Sequence, residues 1–161
     1  NVVNTEIPKY VLKDLEEEMQ KDLDVILIDR SLFDRIIWVN RLYLKNGMKE
    51  DEYKDYLNTY IPLVNEKIDI VIALKTDAIT ALKRDYNANL SLEKRNFLNE
   101  DNVNEYNASL ENTLKMFENK VYLFDTTNTS QRETSIEVAH KILDSYRSRA
   151  LDQVKKMVNF K

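Results

Sequence analysis

The stretch Asp24-Val25-Ile26-Leu27-Ile28-Asp29-Arg30-Ser31-Leu32-Phe33-Asp34-Arg35 decides how this chain is read. Its apolar run, Val25–Ile28, is mostly β-branched and short, as in a strand buried on both faces of a parallel sheet. The run breaks off at Asp29-Arg30-Ser31, and a helical pattern follows. In an open α/β sheet, ligands bind just beyond the carboxyl ends of the strands. An acid and an arginine at such an end suit a magnesium ion and a phosphate. The chain holds a single glycine, Gly47, so this sequence contains no glycine-rich phosphate loop.

Outward from this stretch, helices and strands alternate. Pro8 suits the first turn of a helix, and Tyr10, Val11, Leu15 and Met19 recur at helical spacing, which predicts a helix over 7–22. A strand is expected at 24–28. Ser31 is the expected N-cap of the next helix, 31–46, which stops near Asn46-Gly47. A helix over 50–65 follows, with Pro62 bending or ending it. A second strand is expected at 69–74, and Thr76 or Asp77 caps a short helix carrying Ile79, Leu82 and Lys83. Residues 86–100 are polar and Asn-rich and are expected to be mobile. A helix over 101–118, a third strand at 121–124, the loop Asp125–Asn128 and a long helix over 131–157 complete the chain. This order predicts one α/β domain, 1–161, with a three-layer parallel sheet and crossover helices.

Composition narrows the function. Of 161 residues, 43% are apolar, enough for a core, and 32% are charged. The net charge of -4 argues against a nonspecific duplex-DNA or RNA binder, whose domain is usually basic, and no sequence-specific nucleic-acid partner is expected. The absence of cysteine fits a reducing compartment, and a cytoplasmic location is expected. No apolar run approaches the ~18–20 residues of a membrane span.

Four groups of residues carry candidate chemistry. Asp29, at its strand end, suits a magnesium ligand or a catalytic carboxylate; the plainer role is a cap on the next helix. Arg30 suits a planar clamp on phosphoryl oxygens, and Arg35 a substrate contact; the plainer role of both is a surface ion pair. Lys83, Arg84, Lys94 and Arg95 bracket the polar segment and suit positive charge brought to a phosphoryl transition state. Their alternative is solvated charge on helix ends. Asp125, Thr126, Thr127 and Asn128 suit a base or a ribose, or form an ordinary capped turn. Trp38, Tyr43 and Tyr53 are candidate pocket-lining residues, with core packing as the alternative. His140, in the long terminal helix, is expected to be a surface or packing residue.

The order of these motifs resembles the deoxyribonucleoside kinase family. Asp29-Arg30-Ser31-Leu32-Phe33-Asp34-Arg35, followed by Leu42-Tyr43, Gly47-Met48 and Glu52-Tyr53, is similar to the acid-Arg-Ser motif of those kinases and the helix beyond it. The related thymidylate kinases use Asp-Arg at the same strand end. The resemblance covers roughly residues 10–145 and implies a P-loop NTPase-like fold that uses ATP and Mg2+. It places Asp29 near magnesium and the phosphoryl group, and Arg30 by the substrate and the transferred phosphate. Arg84 and Arg95 become lid arginines, and Asp125–Asn128 the adenine-side loop.

Members of that family begin with a strand and a Gly-x-x-x-x-Gly-Lys-Ser/Thr loop, the strand lying between those matching 24–28 and 69–74. The resemblance therefore implies a C-terminal portion lacking this strand and Walker A loop, inactive by itself. No general base is identified; Glu6 precedes no strand. The expected function is part of an ATP-dependent kinase acting on a nucleoside, nucleotide or similar small hydroxylated substrate, with a homodimer as one possible assembly. The alternatives are a nucleotide-binding regulatory domain of the same fold and a non-enzymatic helical interaction module.

Overall fold

A computed structural model describes residues 6–88, 99–117 and 120–159. Helix α1 spans Glu6–Met19, α2 Leu32–Leu44 and α3 Glu50–Lys67; strand β1 covers Val71–Lys75. Helices α4 (Ala78–Ala88) and α5 (Glu100–Leu114), strand β2 (Val121–Asp125) and helix α6 (Gln131–Asn159) follow.

Helix α2 is the hub. Ser31 caps it by accepting the Phe33 N–H at 3.2 Å, which satisfies one of the orphan donors of a helix start. At the other end Asn46 takes a left-handed φ of 55°. The Gly47 N–H then returns to the Leu42 carbonyl and the Asn46 N–H to that of Tyr43, both at 2.9 Å. This is the Schellman closure. A Cβ at Gly47 would meet the end of the Leu42 side chain, which would have to shift to admit it. Leu32, Ile36, Val64 and Leu110 are fully buried where α2 meets α3 and α5, and the Phe33 and Phe117 rings meet edge to face at 5.3 Å. Leu15 of α1 is buried too, and Val11 and Leu12 pack against this core.

Pro62 lies inside α3 and does not end it. The proline is exposed, so the carbonyl it leaves without a partner one turn back has access to water. Beyond α3, Lys120 Nζ donates to the Asn65 carbonyl and, at 3.0 Å, to that of Ile68, a cation meeting the helix's unpaired carbonyls.

The described sheet has two strands. β1 and β2 pair in parallel, from Val71↔Val121 to Lys75↔Asp125, with α4 and α5 in the crossover between them. The strand expected at 24–28 is not formed among the described residues. Val25, Leu27 and Ile28 are exposed, Leu27 to 76%. The run has the composition of a strand, but a strand exists only through a ladder, and these residues have no ladder partner among the described residues. In place of the expected three-layer parallel sheet, the described residues form a two-stranded parallel one.

Helix α6, 29 residues long, is tied to the body by polar contacts. Tyr146 Oη donates to Asp24 at 3.3 Å, Arg149 pairs with Asp69, and Lys141 Nζ lies 3.7 Å from the centre of the Tyr122 ring. Leu143, Leu151, Val154 and Met157 are exposed along it, as is His140. Among the described residues no helix is long and apolar enough to cross a membrane.

The buried phenols make stability alkali-sensitive. Burial raises the pKa of Tyr56, helped by Tyr60, and that of Tyr106, helped by Asp34. Above pH about 10 the unfolded chain releases these protons and the folded one keeps them, so stability falls as pH rises. Melting temperature should hold from pH 7 to 9 and then drop, with the 295 nm phenolate absorbance of Tyr56 and Tyr106 appearing only on unfolding. A flat melting profile through pH 11 would contradict this.

Candidate functional site

The parallel pairing puts the carboxyl ends of β1 and β2 on one edge, with Lys75 opposite Asp125. The turns beyond them are cross-linked. The Thr126 N–H donates to the Lys75 carbonyl at 2.7 Å, and Thr126 Oγ1 donates to the same oxygen at 3.1 Å. The Asp77 N–H donates to Thr127 Oγ1 at 3.0 Å, and the Thr127 N–H to Asp125 Oδ1 at 2.9 Å. The Arg84 guanidinium spans the loop, giving Nη1 to Thr126 Oγ1 at 3.1 Å and Nη2 to the carbonyls of Thr126 (2.6 Å) and Thr129 (2.9 Å).

Both helices that leave this edge are capped. Asp77 Oδ1 accepts the Thr80 N–H at 2.9 Å at the start of α4. Ser130 and Glu133 exchange bonds at 2.7 and 3.2 Å at the start of α6, the reciprocal capping box. These bonds explain the local acidity. Hydrogen bonds from Thr127, and then the Lys75 charge, hold Asp125 below the usual carboxylate range, while Asp77 opposes them. Thr80, then Thr127, lower Asp77. Lys75 is raised by its bond to Glu111.

A second locus forms at the start of α2. Arg30 has a φ of 57°, a left-handed backbone that costs a residue with a Cβ about 1–2 kcal/mol. Asp34 Oδ1 accepts from Tyr106 Oη at 3.0 Å. The Tyr106 phenol is raised mainly by burial and also by Asp34, with the nearby Arg30 charge acting in the opposite direction. Trp38, 37% exposed, packs on Tyr106 with ring centres 5.9 Å apart and carries the Arg41 guanidinium 5.2 Å from its own ring centre. Arg41 is in turn fixed by Glu105 at 2.6 Å and by Asn102.

Helix α5 joins the two loci through consecutive residues. Tyr106 reaches Asp34, and Asn107 Nδ2 donates to the Thr76 carbonyl, just past β1, at 2.9 Å. The first turn of α2 is thereby held beside the carboxyl end of the sheet.

Of the residues singled out from sequence, Arg30, Trp38, Arg84, Asp125, Thr126 and Thr127 have the contacts given above. Asp29, Lys83 and Asn128 are exposed. Arg35 is half-buried between α2 and α3, where its charge acts on Tyr56 and its Nε has no partner among the described residues. Tyr43 and Tyr53 stack at 4.1 Å with an interplanar angle of 2°. They do so on the α3 side of α2. Trp38 faces α5 instead, about 140° around the helix from Tyr43 at ~100° per residue. The three aromatics therefore do not meet on one wall. Lys94 and Arg95 lie outside the described residues.

Sequence reasoning missed Tyr106 and Asn107, which sit in an ordinary amphipathic helix with no local signal. A polar groove of about 530 Å³, lined by Asp69, Tyr122, Lys141 and Arg149 among others, opens at the opposite, amino end of the sheet.

Among the described residues there is no cluster of three or more acids or histidines that would hold a metal alone. Magnesium in phosphoryl-transfer sites commonly takes one or two carboxylates plus substrate phosphates, and Asp29 is an exposed carboxylate.

A short parallel sheet with helical crossovers, and polar loops gathered at its carboxyl edge, is the arrangement of a nucleoside-kinase-like fold. The likeness is to a deoxyadenosine kinase from M. mycoides, solved with bound dATP: TM-score 0.54, 19% identity, covering 86% of this chain and 73% of that one. At this identity the likeness establishes the fold. No protein-family profile and no curated protein matches the sequence.

Proposed function

We propose that this chain is part of an ATP-dependent kinase that transfers the γ-phosphoryl group to a nucleoside, nucleotide or similar small hydroxylated substrate. The observation that carries this reading is the joining, through Tyr106 and Asn107, of the Arg30–Asp34 turn to the cross-linked strand-end loops on one edge of the sheet. Arg30 presents a planar donor fork to phosphoryl oxygens. Asp29 would hold magnesium, which neutralises developing phosphate charge when bound. Trp38, with Arg41 across one side, offers an aromatic surface to a base. Asp125, Thr126, Thr127 and Asn128 would face the nucleotide's base and ribose, and Lys83, Lys94 and Arg95 would supply positive charge around its phosphates.

The same reading accounts for the bare edge. Residues 24–28 lack a ladder partner among the described residues, and Leu27 and Leu74 lie exposed. Uncovered strand-like edges of this kind are aggregation-prone unless another strand pairs with them. A central strand leading into a Gly-x-x-x-x-Gly-Lys-Ser/Thr loop would fill the space and supply the backbone N–H cradle that these residues lack.

The test assays residues 1–161 and the complete reading frame of the parent gene side by side with Mg2+, ATP and a panel of nucleosides and deoxynucleosides. Turnover is expected only from the complete product. Turnover by 1–161 alone would refute the need for an added phosphate loop. Nucleotide binding by the complete product, but no transfer to any acceptor, would point to a regulatory domain of this fold.

A further inference from the structure

The structure assigns Arg84 to the loop at Thr126–Thr129, where it acts as a positioning residue. An arginine carries five N–H donors in a rigid fork, and Arg84 spends its fork on one short segment. Nη2 bridges two main-chain carbonyls, those of Thr126 and Thr129, and Nη1 meets Thr126 Oγ1. The Thr126 hydroxyl passes its own proton to the Lys75 carbonyl at the end of β1. One side chain of α4 therefore ties the exit of β2 to the exit of β1 and to the residue preceding the α6 cap.

A loop made of Thr, Thr, Asn and Thr has no apolar side chain to anchor it, and it would otherwise lose considerable entropy on ordering. The Arg84 fork orders it in advance. With both carbonyls engaged by Arg84, the loop leaves Asn128 exposed beside the sheet edge.

The consequence, which rests on the nucleotide reading above, is that Arg84 serves the base and ribose end of the ligand through the loop. It does not serve the phosphates. A phosphate-binding arginine must turn its donor fork toward the phosphates, and three of the five donors here are held by the loop. Preorganising the loop improves affinity for whatever the loop holds, whether or not that ligand carries phosphate.

This separates adenosine from ATP. Arg84→Ala should speed amide hydrogen exchange at Thr127–Ser130 by about tenfold or more and weaken adenosine and ATP binding by the same factor, about tenfold. Arg84→Lys, which keeps the charge and loses the fork, should fall between Arg84→Ala and wild type on both readouts and guards against a folding failure in the alanine variant. Binding is followed by titrating adenosine and ATP into the isotopically labelled complete product of the parent gene. A loss confined to ATP, or unchanged exchange in Arg84→Ala, would overturn the assignment. If the wild-type complete product binds neither probe, the nucleotide reading and the ligand half of this inference both fail, and the exchange measurement alone decides whether the latch exists.

Discussion

On the proposed kinase reading, Arg30→Gly is expected to lower phosphoryl transfer by the complete gene product about 10²–10³-fold, the range seen when one transition-state donor is removed, without weakening the fold. The separation follows from the backbone. Arg30 sits at φ 57°, where a Cβ costs about 1–2 kcal/mol. Glycine relieves that strain but adds about 0.5–1 kcal/mol of unfolded-state entropy to be lost. The net change in stability lies between zero and a gain of about 1.5 kcal/mol. Arg30→Ala loses the same donors and keeps the strain, so it should match glycine in rate and not exceed wild type in urea midpoint. Residues held in strained backbone persist where the surroundings or the function demand them. If Arg30→Gly keeps full activity, the strain has no catalytic purpose and Arg30 is not a phosphoryl clamp. If it instead destabilises the chain by more than 1 kcal/mol, contacts of the Arg30 side chain outweigh the backbone term.

What the sequence made legible was local. Ser31 caps α2 because its hydroxyl meets the Phe33 N–H two residues away. Asn46-Gly47 closes the same helix within one turn. The periodicities behind all six helices, and two of three strands, depend on neighbours a few residues apart, and the nucleoside-kinase-like fold was readable from the order in which they fall. The remainder depended on distant neighbours. Residues 24–28 have the composition of a strand, yet pairing requires a partner that no local pattern supplies. Tyr106 and Asn107 join the two loci across 72 and 31 residues of chain, and a single sequence carries no trace of such pairing. The same distance hid the attachment of Arg84 to Thr126, 42 residues on; from the sequence it was one basic residue in a run.

One buried amide helps to align α2 on α5, on which the joined loci depend, and Asn40→Asp should cost about 3–5 kcal/mol at pH 7. Asn40 is 3% exposed. Its Nδ2 donates to the Ser109 carbonyl at 3.3 Å and to Thr113 Oγ1 at 3.2 Å, and its Oδ1 accepts from Tyr53 Oη at 3.3 Å. Aspartate keeps the shape and the bond from Tyr53 but turns a carboxylate oxygen toward the Ser109 carbonyl in a dry interior. Asn40→Ala loses the bonds and leaves a cavity, for about 2–4 kcal/mol. Asn40→Leu fills the space without burying a charge and should cost least, since apolar replacement of a buried polar group is often tolerated. Against a typical total of about 5–15 kcal/mol, the aspartate variant loses a large share. The pH dependence identifies the cause. Burial raises the folded pKa of the new carboxyl above its unfolded value of about 3.9. Between those two values the folded state binds the extra proton, so stability recovers as pH falls from 7 toward 5. Asn40→Ala and Asn40→Leu contain no such group and should show no comparable recovery relative to wild type. Urea midpoints of the three variants at pH 7 and 5 test the ranking. An aspartate variant no worse than alanine at pH 7 would mean that water reaches this junction and that the register of α2 on α5 is held elsewhere.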